Sequence, residues 1–156
     1  MAIAKTIKAF MEEKGVPYTL LTHPVTYSSR DTAAAAHVYE DHIAKAVILN
    51  HGDRYVMAVI PGNSWVKLDA VRDELGDEFE ITDEKTVENL FNDCIPGAVP
   101  PLGPAYGMET LVDAALASLA NVYFESGDHQ QLVRIAGEDF RLLLGGSRHG
   151  HFSTNS

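Results

Sequence analysis

Apolar positions along the chain change their period several times, and each change marks an element. Ile3, Ile7, Phe10 and Met11 recur at helical spacing and Gly15 is a natural stop, so the spacing predicts an amphipathic helix over residues 2–14. Residues 17–22 alternate as a strand, which His23-Pro24 breaks. Ser29 or Asp31 can cap a short alanine-rich helix running through Ala36. Residues 43–50 and 55–60 are β-branched and apolar, and the polar His51-Gly52-Asp53-Arg54 between them predicts a hairpin. Leu68, Val71 and Leu75, followed by Gly76, predict a helix; residues 79–81 read as a short strand; Thr82 is placed to cap a further helix carrying Val87, Leu90 and Phe91. Strands are expected at 109–113, 121–125 and 131–135, and a short helix over 138–144. Residues 145–156 are polar and glycine-rich and are expected to fray as a flexible tail, which leaves 1–144 as one domain. Strands outnumber helices and follow one another like hairpins, so the expected class is α+β with a mixed, mostly antiparallel sheet.

Composition narrows the setting. A chain of 156 residues suits one domain with its own core. No apolar run is long enough to span a bilayer, and the N-terminus has Glu12 and Glu13 and no apolar core of a signal peptide. The single cysteine, Cys94, excludes an internal disulfide; together these features favour the cytoplasm and no membrane. The net charge of −10 argues against a protein that coats nucleic acid through a broad basic face, and no DNA partner is expected. It leaves room for contact with one end of an RNA. The acidity concentrates in residues 69–88, which read as a solvated outer face.

Candidate chemistry lies in three places. The segment Pro96-Gly97-Ala98-Val99-Pro100-Pro101-Leu102-Gly103 packs two glycines and three prolines into eight residues. Within it only Gly97, Ala98 and Val99 can offer consecutive N–H groups, because proline has none. Such a loop is either a stiff surface turn or a rigid row of donors for a carbonyl or oxyanion. Lys45 interrupts the apolar strand IAKAVILN, on the face of Ile43, Val47 and Leu49. It is either a functional cation on a buried face or a solvent residue on a strand whose other face is the core. His129 lies in ESGDHQQLV, at a turn marked by Gly127 where Asp128 can bond the backbone. It either orients substrate and relays a proton or is simply exposed. Cys94 lacks any nucleophile signature and reads as a small hydrophobe. None of the seven histidines falls at a metal-ligand spacing, and no phosphate- or dinucleotide-binding loop is present, so no metal and no cofactor is expected.

The order of these pieces resembles the YbaK family of aminoacyl-tRNA deacylases, relatives of the editing domain inserted in bacterial prolyl-tRNA synthetases. The resemblance covers about residues 5–144 and is carried by THPVTYSS, DTAAAAH, IAKAVIL, YVMAVIPG, PGAVPPLG and VYFESGDHQQLVRIAGEDF. Order, spacing and strand context agree, although a lone GxxxP, here Gly97 to Pro101, is weak by itself. The resemblance implies a barrel-like sheet with flanking helices. It places the family's essential lysine on Lys45, its backbone-binding loop on Gly97, Ala98, Val99, Pro100 and Pro101, and a histidine of some branches on His129. Gly127 belongs to that histidine's turn, and Tyr27 matches loosely an aromatic or hydroxyl position at the pocket edge. The position after the lysine varies with the amino acid removed; here it is Ala46, neither asparagine nor threonine, and PGAVPPLG also departs from the cysteine-specific form.

The implied reaction is trans-editing: hydrolysis of the ester of a mischarged aminoacyl-tRNA, with alanine, serine or threonine as first candidates. Lys45 would hold a phosphate or oxyanion, N–H groups near Gly97–Val99 the substrate carbonyl, and nearby carbonyls the α-ammonium. The ribose hydroxyl would help to activate water. The implied partner is the acceptor end of aminoacyl-tRNA, alone or within a synthetase–tRNA complex. The alternative class is a non-catalytic module that binds an amino acid or aminoacyl-adenylate in the same pocket.

Overall fold

The computed structural model describes residues 3–26, 28–95 and 97–155. In chain order its elements are α1 (Lys5–Glu13), β1 (Thr19–Thr22), α2 (Ser29–Ala36), β2 (Ala44–His51), β3 (Arg54–Pro61), β4 (Ser64–Val66), α3 (Leu68–Leu75), β5 (Glu80–Ile81), α4 (Glu84–Leu90), β6 (Glu109–Asp113), β7 (Asn121–Glu125), β8 (Gln131–Ala136), α5 (Gly137–Leu143), β9 (Arg148–Gly150) and β10 (Ser153–Asn155). One five-stranded sheet has the order β5-β2-β3-β6-β9, a second has β1-β8-β7, and β10 pairs with β4. Only the β3–β6 and β6–β9 ladders are parallel; the other five are antiparallel. The class is therefore α+β with mixed sheets. The barrel-like closure expected from the family does not form among the described residues: a single bridge, Ile43 to Tyr123, is what links the second sheet to the five-stranded one.

Local chemistry explains the element ends. Helix α1 buries Ile7 and Met11, and Asp93 accepts the Thr6 N–H at 3.0 Å where the helix has no capping side chain of its own. Helix α2 is capped by Ser28, not by Ser29 or Asp31; the Ser28 hydroxyl accepts the Asp31 N–H at 3.1 Å. Helix α4 is capped by Asp83, one residue later than expected, because Thr82 donates its hydroxyl to Asn50 instead. The β2–β3 hairpin keeps the expected polar turn, with His51 opposite Arg54 and Gly52 at φ 58°.

Core residues fall on both faces of β2 and β3. Ala44 and Ile48 join a large cluster with Met57, Val59, Phe124 and Phe140, while Leu49 packs with Val56, Ala58, Ile60 and Leu111. Strands covered on both faces read as continuous apolar runs, as IAKAVILN does.

The C-terminal segment differs from its expectation. Residues 148–150 and 153–155 form strands, and Phe152 is buried in the core. The anchor is Asp113, buried at the end of β6, whose carboxylate accepts the Phe152 N–H at 2.9 Å, the Ser153 hydroxyl at 2.7 Å and the Ala115 N–H at 2.8 Å. Asp113→Ala removes all three acceptors and should lower unfolding stability by about 2–3 kcal/mol in a urea titration, since each orphaned buried donor costs roughly 1 kcal/mol or more. A loss under about 0.5 kcal/mol would contradict this anchoring role.

Candidate functional site

Strand β2 brings Lys45 to the edge of a cavity of about 560 Å³, a size that suits a small ligand. The Lys45 ammonium donates to the Gly62 carbonyl at 3.2 Å and lies 5.7 Å from the centre of the Trp65 ring. Burial pushes its pKa below the ordinary lysine value, and the negative charge of Glu40 pulls the other way. Gly62 itself is held tightly against its neighbours: a Cβ there would lie 2.8 Å from the Glu40 carbonyl oxygen and 3.0 Å from Cβ of Ser29. Lys45 is thus a half-buried cation on the cavity wall, not a residue pointing to bulk solvent. Ala46, next along the strand, also lines the cavity and offers only a methyl group.

The turn after β7 presents His129. Asp128 accepts the N–H groups of Gln130 and Gln131 at 2.9 and 3.1 Å and the Ser126 hydroxyl at 3.2 Å. That knot holds His129 at φ 60°, unusual for a residue with a side chain. The histidine is 3 % exposed and lines the cavity, so it is not a simple surface residue. Gly127, at φ 121°, does not line the cavity; it lets the turn pack against Ala4 and gives its carbonyl to the Ile95 N–H at 2.8 Å.

The loop at 97–101 is docked on this turn. Gly97 has φ 82°, a backbone that favours glycine, and a Cβ there would stand 3.2 Å from Cε1 of His129 and crowd the ring. The expected row of three donors is interrupted. The Ala98 N–H is spent on the Ile95 carbonyl at 3.0 Å, whereas those of Gly97 and Val99 have no hydrogen-bond partner among the described residues. Gly97 and Val99 line the cavity; Ala98, Pro100 and Pro101 are buried behind it and stiffen the loop. Tyr27 lies outside the described residues.

A further polar group on the cavity wall escapes a reading of the sequence. Glu125, the last residue of β7, accepts the Thr32 hydroxyl at 3.3 Å and lies 3.8 Å from Nε2 of the buried His23. Burial pushes its carboxyl up to about 7; the Thr32 hydrogen bond opposes that rise and the charge of Asp128 adds to it. In sequence Glu125 is only a polar strand end. The signal available was its place four residues before His129.

Cys94 is half-buried away from this cavity, and burial pushes its thiol up to about 12, so it has no thiolate to offer near neutral pH. Among the described residues no three His, Cys, Asp or Glu side chains gather so as to hold a metal ion, and no helix is long and apolar enough to cross a membrane.

Comparison with known proteins agrees on one architecture. A hypothetical protein, APE2540, superposes with a TM-score of 0.85 at 21 % identity, covering 96 % of this chain and all of that one. The crystal structure of a candidate trans-editing enzyme for prolyl tRNA synthetase superposes with a TM-score of 0.83 at 18 % identity, covering 97 % of each chain. A candidate signal transduction protein from Marinobacter aquaeolei carries the same fold in 30 % of its length, with a TM-score of 0.78 and 18 % identity over 96 % of this chain. No curated protein matches the sequence significantly. At these identities the structures speak for the fold alone, but the model of the aminoacyl-tRNA editing domain matches residues 23–143, and the chain belongs to that family.

Proposed function

We propose that this protein is an aminoacyl-tRNA deacylase that hydrolyses, in trans, the ester of a mischarged tRNA bearing a small amino acid such as alanine, serine or threonine. The observation that carries the reading is the meeting of Lys45, His129, Gly97 and Val99 on one cavity, from three segments far apart in sequence. In the reaction, water oxygen attacks the ester carbonyl, the carbonyl oxygen becomes an oxyanion, and the bond to the ribose oxygen breaks as that oxygen takes a proton. Lys45 supplies a fixed positive charge for the oxyanion or the terminal phosphate, and the Gly97 and Val99 N–H groups supply neutral donors. Because Ala98, Pro100 and Pro101 are packed, these donors need no ordering when substrate arrives. His129 positions the substrate or shuttles the proton. Ala46 and Val99 keep the cavity wall small, which favours small side chains by size.

Single-turnover deacylation of a panel of aminoacyl-tRNAs tests the reading. The expected result is hydrolysis of at least one tRNA charged with alanine, serine or threonine, on the order of 10²-fold or more above the spontaneous rate. A protein that cleaves none of the panel yet binds a free amino acid or aminoacyl-adenylate would instead be a binding module.

A further inference from the structure

An aminoacyl ester differs from most esters in carrying an α-ammonium group, and a cation drawn into a partly dry cavity needs a counter-charge. Three carboxylates line this cavity among the described residues: Glu40, Glu84 and Glu125. Glu84 is exposed at the start of α4, and Glu40 already faces Lys45 electrostatically. Glu125 is different. Its side chain is only 15 % exposed, Oε1 accepts the Thr32 hydroxyl, and Oε2 is buried with no hydrogen-bond partner among the described residues.

The surroundings are rich in acceptors and poor in donors. Nδ1 of His23 lies 2.7 Å from the Pro24 carbonyl, which can only accept, so Nδ1 carries a proton, and in the neutral tautomer that this contact fixes Nε2 is an acceptor. That Nε2 is also buried without a hydrogen-bond partner among the described residues and faces Glu125. Oδ2 of the neighbouring Asp128 is in the same condition. Thr32 cannot make up the deficit, because its hydroxyl has a single proton, already given to Oε1, and toward the Thr26 hydroxyl at 2.6 Å it then accepts. Buried acceptors without donors are costly, and of these three residues Glu125 is the one that lines the cavity, where a positively charged group with N–H donors would relieve its cost.

Resting on the deacylase reading above, we infer that Glu125 is the counter-charge for the substrate's α-ammonium group, so that the site selects a free α-amine over an N-acylated one. Substrate then lies with its ammonium toward the end of β7 and its carbonyl oxygen, the future oxyanion, between Gly97 and Lys45. The carboxyl held near neutrality by burial supports the assignment: an arriving ammonium stabilises the carboxylate form and draws the pair together.

The test compares the best substrate of the panel with the same aminoacyl-tRNA acetylated on its α-amine, for the wild type, Glu125→Gln and Glu125→Asp. The wild type is expected to prefer the free amine by roughly 10- to 100-fold in kcat/KM, the scale of one charge-assisted hydrogen bond. Glu125→Gln should lose most of that preference by slowing the free-amine substrate alone, through KM rather than kcat. Glu125→Asp should restore part of it. Equal slowing of both substrates by Glu125→Gln would mean a structural or proton-transfer role and overturn the inference, as would a wild type without preference or a variant that keeps it. A wild type inactive on every aminoacyl-tRNA would instead overturn the deacylase reading itself.

Discussion

Replacing Lys45 with methionine is expected to lower single-turnover deacylation by about 10²–10³-fold while leaving the protein folded, because one preorganised oxyanion-stabilising group contributes on that scale. Methionine keeps most of the apolar stem beside Trp65 and removes only the charge and the bond to Gly62. Burial already works against this ammonium, so a variant without it should unfold at the wild-type temperature or slightly above. The two readouts must separate: activity collapses and stability does not. Wild-type activity in Lys45→Met would remove the lysine from the mechanism. A large fall in stability would show that its bond to Gly62 is structural. Lys45→Arg should not rescue fully, since a planar guanidinium does not place a compact charge at the same point.

The second large effect concerns stability and pH. Glu125 is held at about 7 in the folded protein against 4.5 for an ordinary glutamate. A group whose folded pKa is raised contributes stability that is complete below its unfolded pKa and is lost as pH rises through its folded pKa. Between pH 4.5 and pH 7, therefore, the contribution of Glu125 should decline, and by pH 8 the buried carboxylate should cost roughly 3 kcal/mol relative to its acid form. The groups that face it are His23 from the segment after β1, Thr32 from α2 and Asp128 from the turn after β7. Other titrations act on both proteins, so the informative quantity is the difference between wild type and Glu125→Gln. Glutamine, a neutral mimic of the acid, should be the more stable protein at pH 8, with the gap closing as pH falls toward 5. Urea titrations at several pH values measure it directly, and a gap independent of pH would refute the raised titration. A residue that weakens the fold at working pH and is replaced with a gain in stability fits a functional charge better than a structural one.

Much of the architecture was legible because local and global demands agree. IAKAVILN became a strand with both faces covered, and Ile7 and Met11 turned α1 toward the core. Lys45 drew notice as a charge in an apolar run and His129 as a histidine in a glycine turn; both line the cavity, with Gly97, Val99 and Ala46. What was not legible depends on partners distant in the chain. Glu125 looks like any polar strand end until His23 and Thr32, from β1's exit and α2, close around it. The Ala98 N–H looked available because its acceptor, the Ile95 carbonyl, depends on the turn the loop makes. The C-terminal segment looked frayed because its composition is polar, while its order comes from Phe152 and from the side chain of Asp113.

The ladder between β10 and β4 has a practical side for anyone choosing where to cut this chain. Thr154 stands opposite Trp65, the ring above Lys45. A fragment ending at Leu144 keeps every residue of the matched family region, and a boundary there looks safe on that ground. It would nevertheless strip the partner strand from the wall that carries Trp65 and expose unpaired backbone groups beside the cavity. Weak activity in such a fragment would report on a missing brace and not on the chemistry of Lys45, so fragments for functional work need to run through Asn155.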